Sequence, residues 1–456
     1  MNSNSPIKTA PTRPWPVLLA VGPGIVLAAG VVGSGELINT PLQAARFGFV
    51  LLWAVLLSCL IKYFLQVEVG RYCLVHNRTV FEALSPFPGP RLRKTSWLVW
   101  AFMLGWLLAQ VGSSGLVGAM AGLMHGIMPV SSEAIGSVQI WAVVVVVVVQ
   151  LLLWRGLYGR LEKMMVGLIL LLSLSAVVGL VMLQGTPFRV TGDDLVSGLG
   201  FSLGETDIRL AAFAVISLIG ALGVSGAELV VYPYWVMEKG YGRFLGPPDS
   251  AGWVERARGW IRILKLDAGV ATLLATVVTA AYFMLGAAIL FPLGKTPSGI
   301  GVVGQISSIF TESYGPWSKS IFLISALATL LSTLLAATAV NGRIITDFLC
   351  SLGLVDRSCP KAVRASQQVI QTAFLLVVLT LFLLVPTRPA LMVLFSHYII
   401  GVLGTPLATI AICWLAFRTE KPLRMSWPVA VLLLGSAGVI IGCVVFGLAV
   451  QVGWIR

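Results

Sequence analysis

Charged side chains are scarce in this chain: Asp, Glu, Lys and Arg make up 11% of its 456 residues, against roughly 25% in a typical soluble domain. Hydrophobic residues make up 57%, and the mean hydropathy is +0.94. Water cannot solvate so apolar a surface, so lipid must surround it. Apolar runs of about 20 residues recur along the chain, and each can cross a bilayer as a helix. The composition therefore predicts an all-α membrane protein and excludes a soluble globular fold.

Several functional features are also missing. No polar stretch between the apolar runs is long enough for a soluble domain, and neither a nucleotide-binding loop nor a catalytic constellation is present, which argues against an ATP-driven pump and an enzyme. Residues 1–15 lack a signal-peptide pattern, so we expect a cytoplasmic tail. The 6 cysteines show no metal-type spacing. We expect no disulfide, no bound cofactor and no obligate protein partner.

Basic residues orient the predicted spans. The spans cover residues 16–45, 49–74, 96–124, 138–155, 161–184, 207–240, 262–292, 316–346, 366–386, 389–416 and 427–452. Most of the 31 Lys and Arg residues lie in the N-terminal tail and in the loops after even-numbered spans. Cytoplasmic loops carry such an excess, so we expect the N-terminus in the cytoplasm and the C-terminus outside a cell (inner) membrane. The same placement explains the net charge of +13 without a nucleic-acid partner.

Two predicted spans contain matching interruptions. The stretches are Gly33-Ser34-Gly35-Glu36-Leu37-Ile38 in the first span and Ser225-Gly226-Ala227-Glu228-Leu229-Val230 in the sixth. Glycine costs about 1 kcal/mol relative to Ala inside a helix, so we expect both spans to break at 33–36 and 225–228. Small residues also allow close helix packing, which is the alternative reading. Packing does not explain a Glu at the same register in both stretches, and a carboxylate within a membrane is functional by default.

The position of the two interruptions predicts an internal repeat. Each opens a set of five spans, and an odd number of spans per repeat requires the second repeat to be inverted. We therefore expect one transporter domain over 16–452, with repeats at about 16–184 and 207–416 and an extra helix at about 427–452. Matching broken helices in inverted halves indicate the central site of a secondary transporter. A further segment, Ser250–Leu264, reads as an amphipathic helix at the cytoplasmic interface or as a solvated loop.

At these residues the chain resembles the natural resistance-associated macrophage protein (Nramp) family of divalent-metal transporters. The first span, GPGIVLAAGVVGSGELINTPLQAARFG, has the spacing of that family's first helix: a Gly-Pro start, a candidate unwound tetrapeptide, and a half-helix ending in Phe-Gly. The resemblance covers most of the chain in layout and is strongest in the first two spans and the sixth. It implies the five-plus-five inverted repeat of the amino acid–polyamine–organocation superfamily, with broken helices 1 and 6.

The chain departs from the family at the ligands. The family tetrapeptide Asp-Pro-Gly-Asn is Gly33-Ser34-Gly35-Glu36 here, so Gly33 replaces a ligand Asp and Glu36 replaces a ligand Asn. The family's Met-Pro-His in the sixth helix is matched by Gly226-Ala227-Glu228, or by a register shifted by one residue. Without the thioether, two carboxylates suit a hard cation such as Mg²⁺ or Mn²⁺ better than Fe²⁺.

These residues predict a transporter of a metal cation that works by alternating access and is coupled to H⁺ or Na⁺. The candidate metal ligands are Glu36 and Glu228, and the small residues beside them expose carbonyl groups. The resemblance adds Ser332 and Thr333 as candidate coupling-ion residues, and His397, at the start of span ten, is a candidate proton carrier. A transporter of a small organic solute on the same fold is the alternative, because the family's metal ligands are absent.

The charge distribution yields a topological prediction. A reporter fused after Arg456 should report an extracytoplasmic location, and one inserted at Arg357 a cytoplasmic one, because basic residues concentrate on the cytoplasmic side. Paired alkaline phosphatase and green fluorescent protein fusions measure both sides independently. The opposite result at either position would refute the eleven-span arrangement.

Overall fold

The computed structural model describes residues 7–20, 33–130, 136–154, 158–204 and 207–455, and helices make up most of them. The α-helices are α1 (Pro14–Ala20), α2 (Thr40–Phe47), α3 (Leu52–His76), α4 (Val80–Leu84), α5 (Trp97–Ala109), α6 (Val111–Ile127), α7 (Ser137–Trp154), α8 (Tyr158–Leu183), α9 (Gly192–Leu199), α10 (Ile208–Ala221), α11 (Gly226–Glu238), α12 (Tyr241–Phe244), α13 (Trp253–Ile289), α14 (Val302–Ile306), α15 (Ser308–Tyr314), α16 (Ser318–Ser351), α17 (Pro360–Leu384), α18 (Pro389–Ile399), α19 (Thr405–Ala416) and α20 (Trp427–Val452). Short π-helices cover Gly35–Asn39 and Ile400–Gly404, 3-10 helices cover Gly48–Leu51 and Lys421–Leu423, and strands β1 (Arg91–Leu92) and β2 (Thr95–Ser96) pair antiparallel.

The helical membrane fold is confirmed. In the described part of the chain, 9 helical segments are long and apolar enough to cross a membrane. They are Gly35–His76, Trp97–Ile127, Ser137–Trp154, Ile208–Glu238, Trp253–Ile289, Ser318–Ser351, Pro360–Leu384, Pro389–Ala416 and Trp427–Val452. The first of them joins the end of the first predicted span to the second, and α8 corresponds to the predicted fifth span. The Gly-Pro-Gly start of the first span, at 22–24, lies outside the described residues.

The predicted interfacial helix at Ser250–Leu264 is wrong as a separate element. Gly252 has a left-handed φ of +71° and caps α13, which then continues without interruption from Trp253 to Ile289. Trp260 is buried, and its indole N–H donates to the carbonyl oxygen of Lys8 at 2.9 Å. The segment has no helix breaker at its apolar end, so it forms the first turns of the seventh span.

Helix burial separates the lipid-facing elements from the central ones. In the Ile208–Glu238 segment, 78% of the most apolar window is buried by other helices, against 22% in Pro360–Leu384 and 28% in Ser137–Trp154. The exposed large hydrophobic side chains of the latter two are Val and Leu, apart from Trp154 at the end of α7, and such side chains suit a lipid-facing surface. The interrupted sixth span therefore lies at the centre of the bundle.

The sixth span breaks three residues earlier than the sequence predicts. The helix α10 ends at Ala221, Leu222 adopts an extended backbone, and Gly223 has a φ of +64°. A Cβ on Gly223 would lie 2.8 Å from the Cα of Cys59, so both the backbone angle and the close approach require glycine here. The non-helical residues are 222–225, and Gly226 already begins α11. The expectation of a non-helical 226–228 is therefore wrong, because Ser225 is an efficient N-cap residue that starts the helix at once.

In the first span, the described helix begins directly after Gly33. The Gly33 carbonyl accepts the N–H of Leu37 at 3.0 Å, and Gly35–Asn39 form a π-helix that continues into α2. Glu36 is thus helical, contrary to the expected non-helical 33–36. The residues that precede this helix, 21–32, lie outside the described part of the chain.

The tenth span packs against the sixth with backbone touching backbone. A Cβ on Gly220 would collide with the carbonyl oxygen of His397 and lie 2.6 Å from the amide nitrogen of Gly401. Gly226 is equally close to the backbone of Thr405, beyond the π-helix Ile400–Gly404. Small residues allow such approaches between membrane helices. This contact fixes His397 beside the break in the sixth span.

Replacing Gly220 with Ala should destabilise the protein, because the added methyl group forces α10 and α18 apart. Overpacking typically costs about 1–3 kcal/mol. Gly435→Ala is the matched control, since a Cβ on Gly435 in α20 meets nothing within 4 Å. Melting temperatures of the purified variants should fall for G220A and stay unchanged or rise for G435A. Equal melting temperatures would contradict the close contact.

Candidate functional site

A cavity of about 680 Å³ lies between the broken spans. Its walls come from the start of the first described half-helix and from α5, α6, α11, α16 and α18. Of the residues predicted to form the site, those that line the cavity are Gly33, Ser34, Gly35, Ser225, Ala227, Glu228, Ser332, Thr333 and His397. Glu36 and Gly226 do not line it. The fold therefore brings residues from four distant parts of the sequence to one space.

Glu228 is both a helix cap and a wall of the cavity. Its carboxylate accepts the backbone N–H of Ser225 at 2.7 Å, and the Ser225 hydroxyl accepts the backbone N–H of Glu228 at 3.2 Å. This reciprocal capping box satisfies two backbone donors that the break leaves free. The Ser225 amide bonds to only one of the two Glu228 carboxylate oxygens. The Glu228 side chain is half-buried and lines the cavity.

Glu36 repeats the capping contact but faces away from the cavity. Its Oε2 accepts the backbone N–H of Gly33 at 3.1 Å, and its Oε1 accepts the hydroxyl of Thr279 in α13 at 3.1 Å. The side chain is 0% exposed. The matching register of Glu36 and Glu228 in the sequence thus has a structural cause, because each Glu caps the half-helix that it begins. A role for both in binding a cation stays a prediction.

His397 lies in the wall of the cavity, near the end of α18. Its Nε2 is 3.4 Å from the hydroxyl oxygen of Ser34, and its buried Nδ1 has no hydrogen-bond partner among the described residues. The position follows from the backbone contact of α18 with α10, which no sequence pattern reveals. His397 and Glu228 are therefore the titratable side chains that the predicted site offers to the cavity.

The two predicted coupling-ion residues line the same cavity. Thr333 donates its hydroxyl to the carbonyl oxygen of Thr329 at 2.9 Å, one turn earlier in α16. Ser332 lies beside it on the wall. Their role in holding a coupling ion stays a prediction.

A polar bridge between α16 and the third span was not predicted as part of the site. The amide nitrogen of Asn341 donates to Gln110 at 3.1 Å, and its oxygen accepts the indole N–H of Trp106 at 2.8 Å. All three residues line the cavity. Their spacing in the sequence carries no signal of this contact, because 231 residues separate Gln110 from Asn341.

Lys62 is the basic group that sequence reasoning left without a role. It lies in α3, is 0% exposed, and donates to the carbonyl oxygens of Ile219 at 2.5 Å and Leu222 at 2.6 Å. It lies close enough to Glu36 and Glu228 to interact with both carboxylates electrostatically. An ionisable residue in the middle of an apolar span was the available signal, because such residues are rare and functional.

The donors at the cavity limit how a metal ion could be held there. Within the described ranges, no three His, Cys, Asp or Glu side chains converge on one point. A cation would therefore take one carboxylate, one imidazole, hydroxyl or carbonyl oxygens, and water. Mg²⁺ commonly keeps several waters in protein sites, and the cavity has room for them.

Comparisons with known proteins agree with this architecture. The sequence profile of the family described as "Natural resistance-associated macrophage protein-like" matches residues 24–450. The divalent metal cation transporter MntH of Bradyrhizobium diazoefficiens is 24% identical over 338 residues, which are 74% of this chain and 69% of that protein. An uncharacterized protein of Pasteurella multocida is 22% identical over 333 residues, covering 71% of this chain and 68% of that protein.

Solved structures share the fold. A manganese transporter of Eremococcus coleocola, solved with an aromatic bis-isothiourea compound, superposes with a TM-score of 0.63 at 14% identity, covering 99% of this chain and 90% of that one. MhsT in complex with L-phenylalanine gives a TM-score of 0.58 at 15% identity, covering 94% and 98%. The predicted inverted-repeat fold class is thereby confirmed, and the break in the sixth helix is seen in the described residues, whereas residues 21–32 of the first span lie outside them. The exact limits of the two repeats stay a prediction.

The capping box predicts a specific stability difference. Ser225→Ala removes the hydroxyl that accepts the Glu228 N–H, and loss of an N-cap costs about 0.5–2 kcal/mol. Ser332→Ala, in the wall of the same cavity, is the control. Thermal melting of purified protein should show a drop for S225A alone. An equal decrease in the melting temperatures of both variants would show that the effect comes from the cavity surface, and it would contradict a stabilising N-cap at Ser225.

Proposed function

Because this chain belongs to the natural resistance-associated macrophage protein family, we propose that it is a secondary transporter that moves a divalent metal cation across a membrane by alternating access. The relative from Bradyrhizobium diazoefficiens is named as a divalent metal cation transporter, and the similar structure from Eremococcus coleocola as a manganese transporter. The observation that carries the proposal is the convergence of Glu228, His397 and Ser34 on one central cavity.

The donor types favour a hard or borderline cation. Glu228 offers a carboxylate, Ser34 a hydroxyl, and His397 an imidazole nitrogen without a partner in the described part of the chain. Carboxylate and hydroxyl oxygens suit Mg²⁺ and Mn²⁺, and imidazole favours Mn²⁺ over Mg²⁺. Among the described residues that line the cavity there is no Met or Cys, so none of them favours a soft metal. Mn²⁺ is therefore the first cation to test, followed by Mg²⁺.

A proton gradient fits the same groups. A proton and a metal ion compete for the Glu228 carboxylate, since a protonated carboxyl group is a poor ligand. Release of the cation on one side of the membrane would let a proton take its place. We therefore expect cation binding to weaken as the pH falls. A sodium-coupled mechanism through Ser332 and Thr333 would show the same competition at Glu228, but its uptake would require Na⁺ and would not increase with a proton gradient.

The shape of the cavity supports an alternating mechanism. It extends from Gly33 and Ser225 at the broken helices to Arg343 and Gln371 in α16 and α17. Arg343 pairs with Glu238 at 3.1 Å and lies over the ring of Trp235, at the end of the cavity that charge distribution predicts to be cytoplasmic. In that orientation, the cavity would give access to the site from the cytoplasm.

The size of the cavity favours one alternative. At about 680 Å³, with Phe102, Trp106 and Trp235 in its walls, it lies within the range of about 300–1,000 Å³ typical of small-molecule sites. An organic solute with an amino group could use Glu228 as its partner. Quenching of Trp fluorescence by amino acids or amines, with no response to divalent cations, would select this alternative.

The transport proposal is tested in proteoliposomes. We expect Mn²⁺ uptake that increases when a proton gradient is applied, and uptake per folded molecule that falls at least tenfold in Glu228→Gln, because the amide cannot bind a cation as a carboxylate does. Glu36→Gln should also reduce uptake. Glu312→Gln is the matched control, since Glu312 is exposed in α15.

Uptake is normalised to monodisperse protein in each variant. Wild-type uptake and unchanged pH dependence in E228Q would show that the cation binds elsewhere. Loss of folded protein in E228Q and E36Q, with unchanged uptake per folded molecule, would leave the two carboxylates as helix caps alone.

A further inference from the structure

The break in the sixth span encloses a set of oxygen atoms that the proposed transport site does not use. The carbonyl oxygens of Ile219 and Leu222 and the hydroxyl of Ser58 surround the Lys62 ammonium at 2.5, 2.6 and 3.2 Å. An ammonium group has three N–H donors, so these three acceptors satisfy it completely. Lys62 is wholly buried and does not line the cavity.

The carbonyl groups are free because the helix stops there. In an unbroken helix, Ile219 and Leu222 would accept the N–H groups of Gly223 and Gly226, four residues on. The extended Leu222 and the positive φ of Gly223 remove both bonds. The end of a helix also carries a partial negative charge. Oxygen atoms grouped at a helix C-terminus inside a membrane form a site for a cation, and here the cation is part of the chain.

The carbonyl oxygens at the break need a hydrogen-bond donor at this position. Lys62 interacts electrostatically with Glu36 and Glu228, and Ser58 also donates to the Leu218 and Leu222 carbonyls at 3.3 Å. A side chain that is 0% exposed is shielded from bulk water, so an unpaired carbonyl beside it would cost about 1–3 kcal/mol in desolvation.

We propose that Lys62 is a tethered cation that permanently fills a monovalent-cation site formed by Ile219, Leu222 and Ser58. The free carbonyl groups at the break in the sixth span are then satisfied without a dissociable ion. The cavity lined by Glu228 remains available for the transported substrate. Once Lys62 is shortened, the emptied site takes a small monovalent cation, either a primary alkylammonium ion or Na⁺.

The test is chemical rescue of stability. Lys62→Ala leaves a pocket as long as the lost side chain, lined at its end by the three oxygen atoms. We expect K62A to melt well below wild type in choline chloride. Ethylammonium chloride at the same ionic strength should raise its melting temperature by about 2–5 °C, as a ligand that binds only the folded state does. NaCl in a third arm distinguishes a bare metal ion from an ammonium ion.

Two controls define the outcome. Lys62→Met keeps the length of the side chain without the charge, so it should be destabilised and should not respond to ethylammonium. Leu60→Ala removes an exposed side chain from the same helix and should not respond either. Wild type should melt at the same temperature in all three salts.

Several results would overturn the inference. They are a K62M variant as stable as wild type, a K62A variant that melts equally in ethylammonium, Na⁺ and choline, and a K62A variant that cannot be recovered folded in any of the three salts. These measurements use stability and not transport. They therefore decide the role of Lys62 even if the protein fails to transport Mn²⁺.

Discussion

The structure depends on one constraint, which is that a backbone N–H or C=O group inside a bilayer must find a partner within the protein. A continuous helix meets it automatically. The sixth span is not helical at 222–225, so side chains replace the backbone hydrogen bonds that are lost there. Ser225 and Glu228 cap the half-helix that begins after the break, and Lys62 and Ser58 donate hydrogen bonds to carbonyl groups at the end of the half-helix before it. These polar side chains share one structural role, which is to form hydrogen bonds with backbone groups that the break leaves free.

The same groups create a polar interior at the centre of an apolar chain. Once Glu228 is fixed by the Ser225 amide, its carboxylate keeps an oxygen for the cavity. Structural and functional roles are therefore not alternatives for this residue. A capping carboxylate that also faces a cavity is held in position without a dedicated support.

Close backbone packing completes the site. Gly220 and Gly401 let the tenth span approach the sixth until backbone atoms touch, and this places His397 beside Ser34. The π-helix Ile400–Gly404 lies at the same contact and shifts the register of the residues that follow it. A methyl group at Gly220 would separate two of the elements that line the cavity.

The sequence by itself determined the class of fold, the positions of most spans and the presence of a break in the sixth span, because hydropathy and glycine content are local properties that lipid and helix geometry act on directly. It placed that break three residues too late, and the expected non-helical 33–36 was wrong. It also identified Glu36 and Glu228 as paired. It could not predict their different surroundings. Glu36 contacts α13 and Glu228 lines the cavity only because of how the helices pack. The bond from Lys62 to Ile219 spans 157 residues, and the contact of Ser34 with His397 spans 363. Such contacts are decided by tertiary structure alone, because helix packing in a membrane is set by the shapes of facing surfaces and not by any periodicity along the chain.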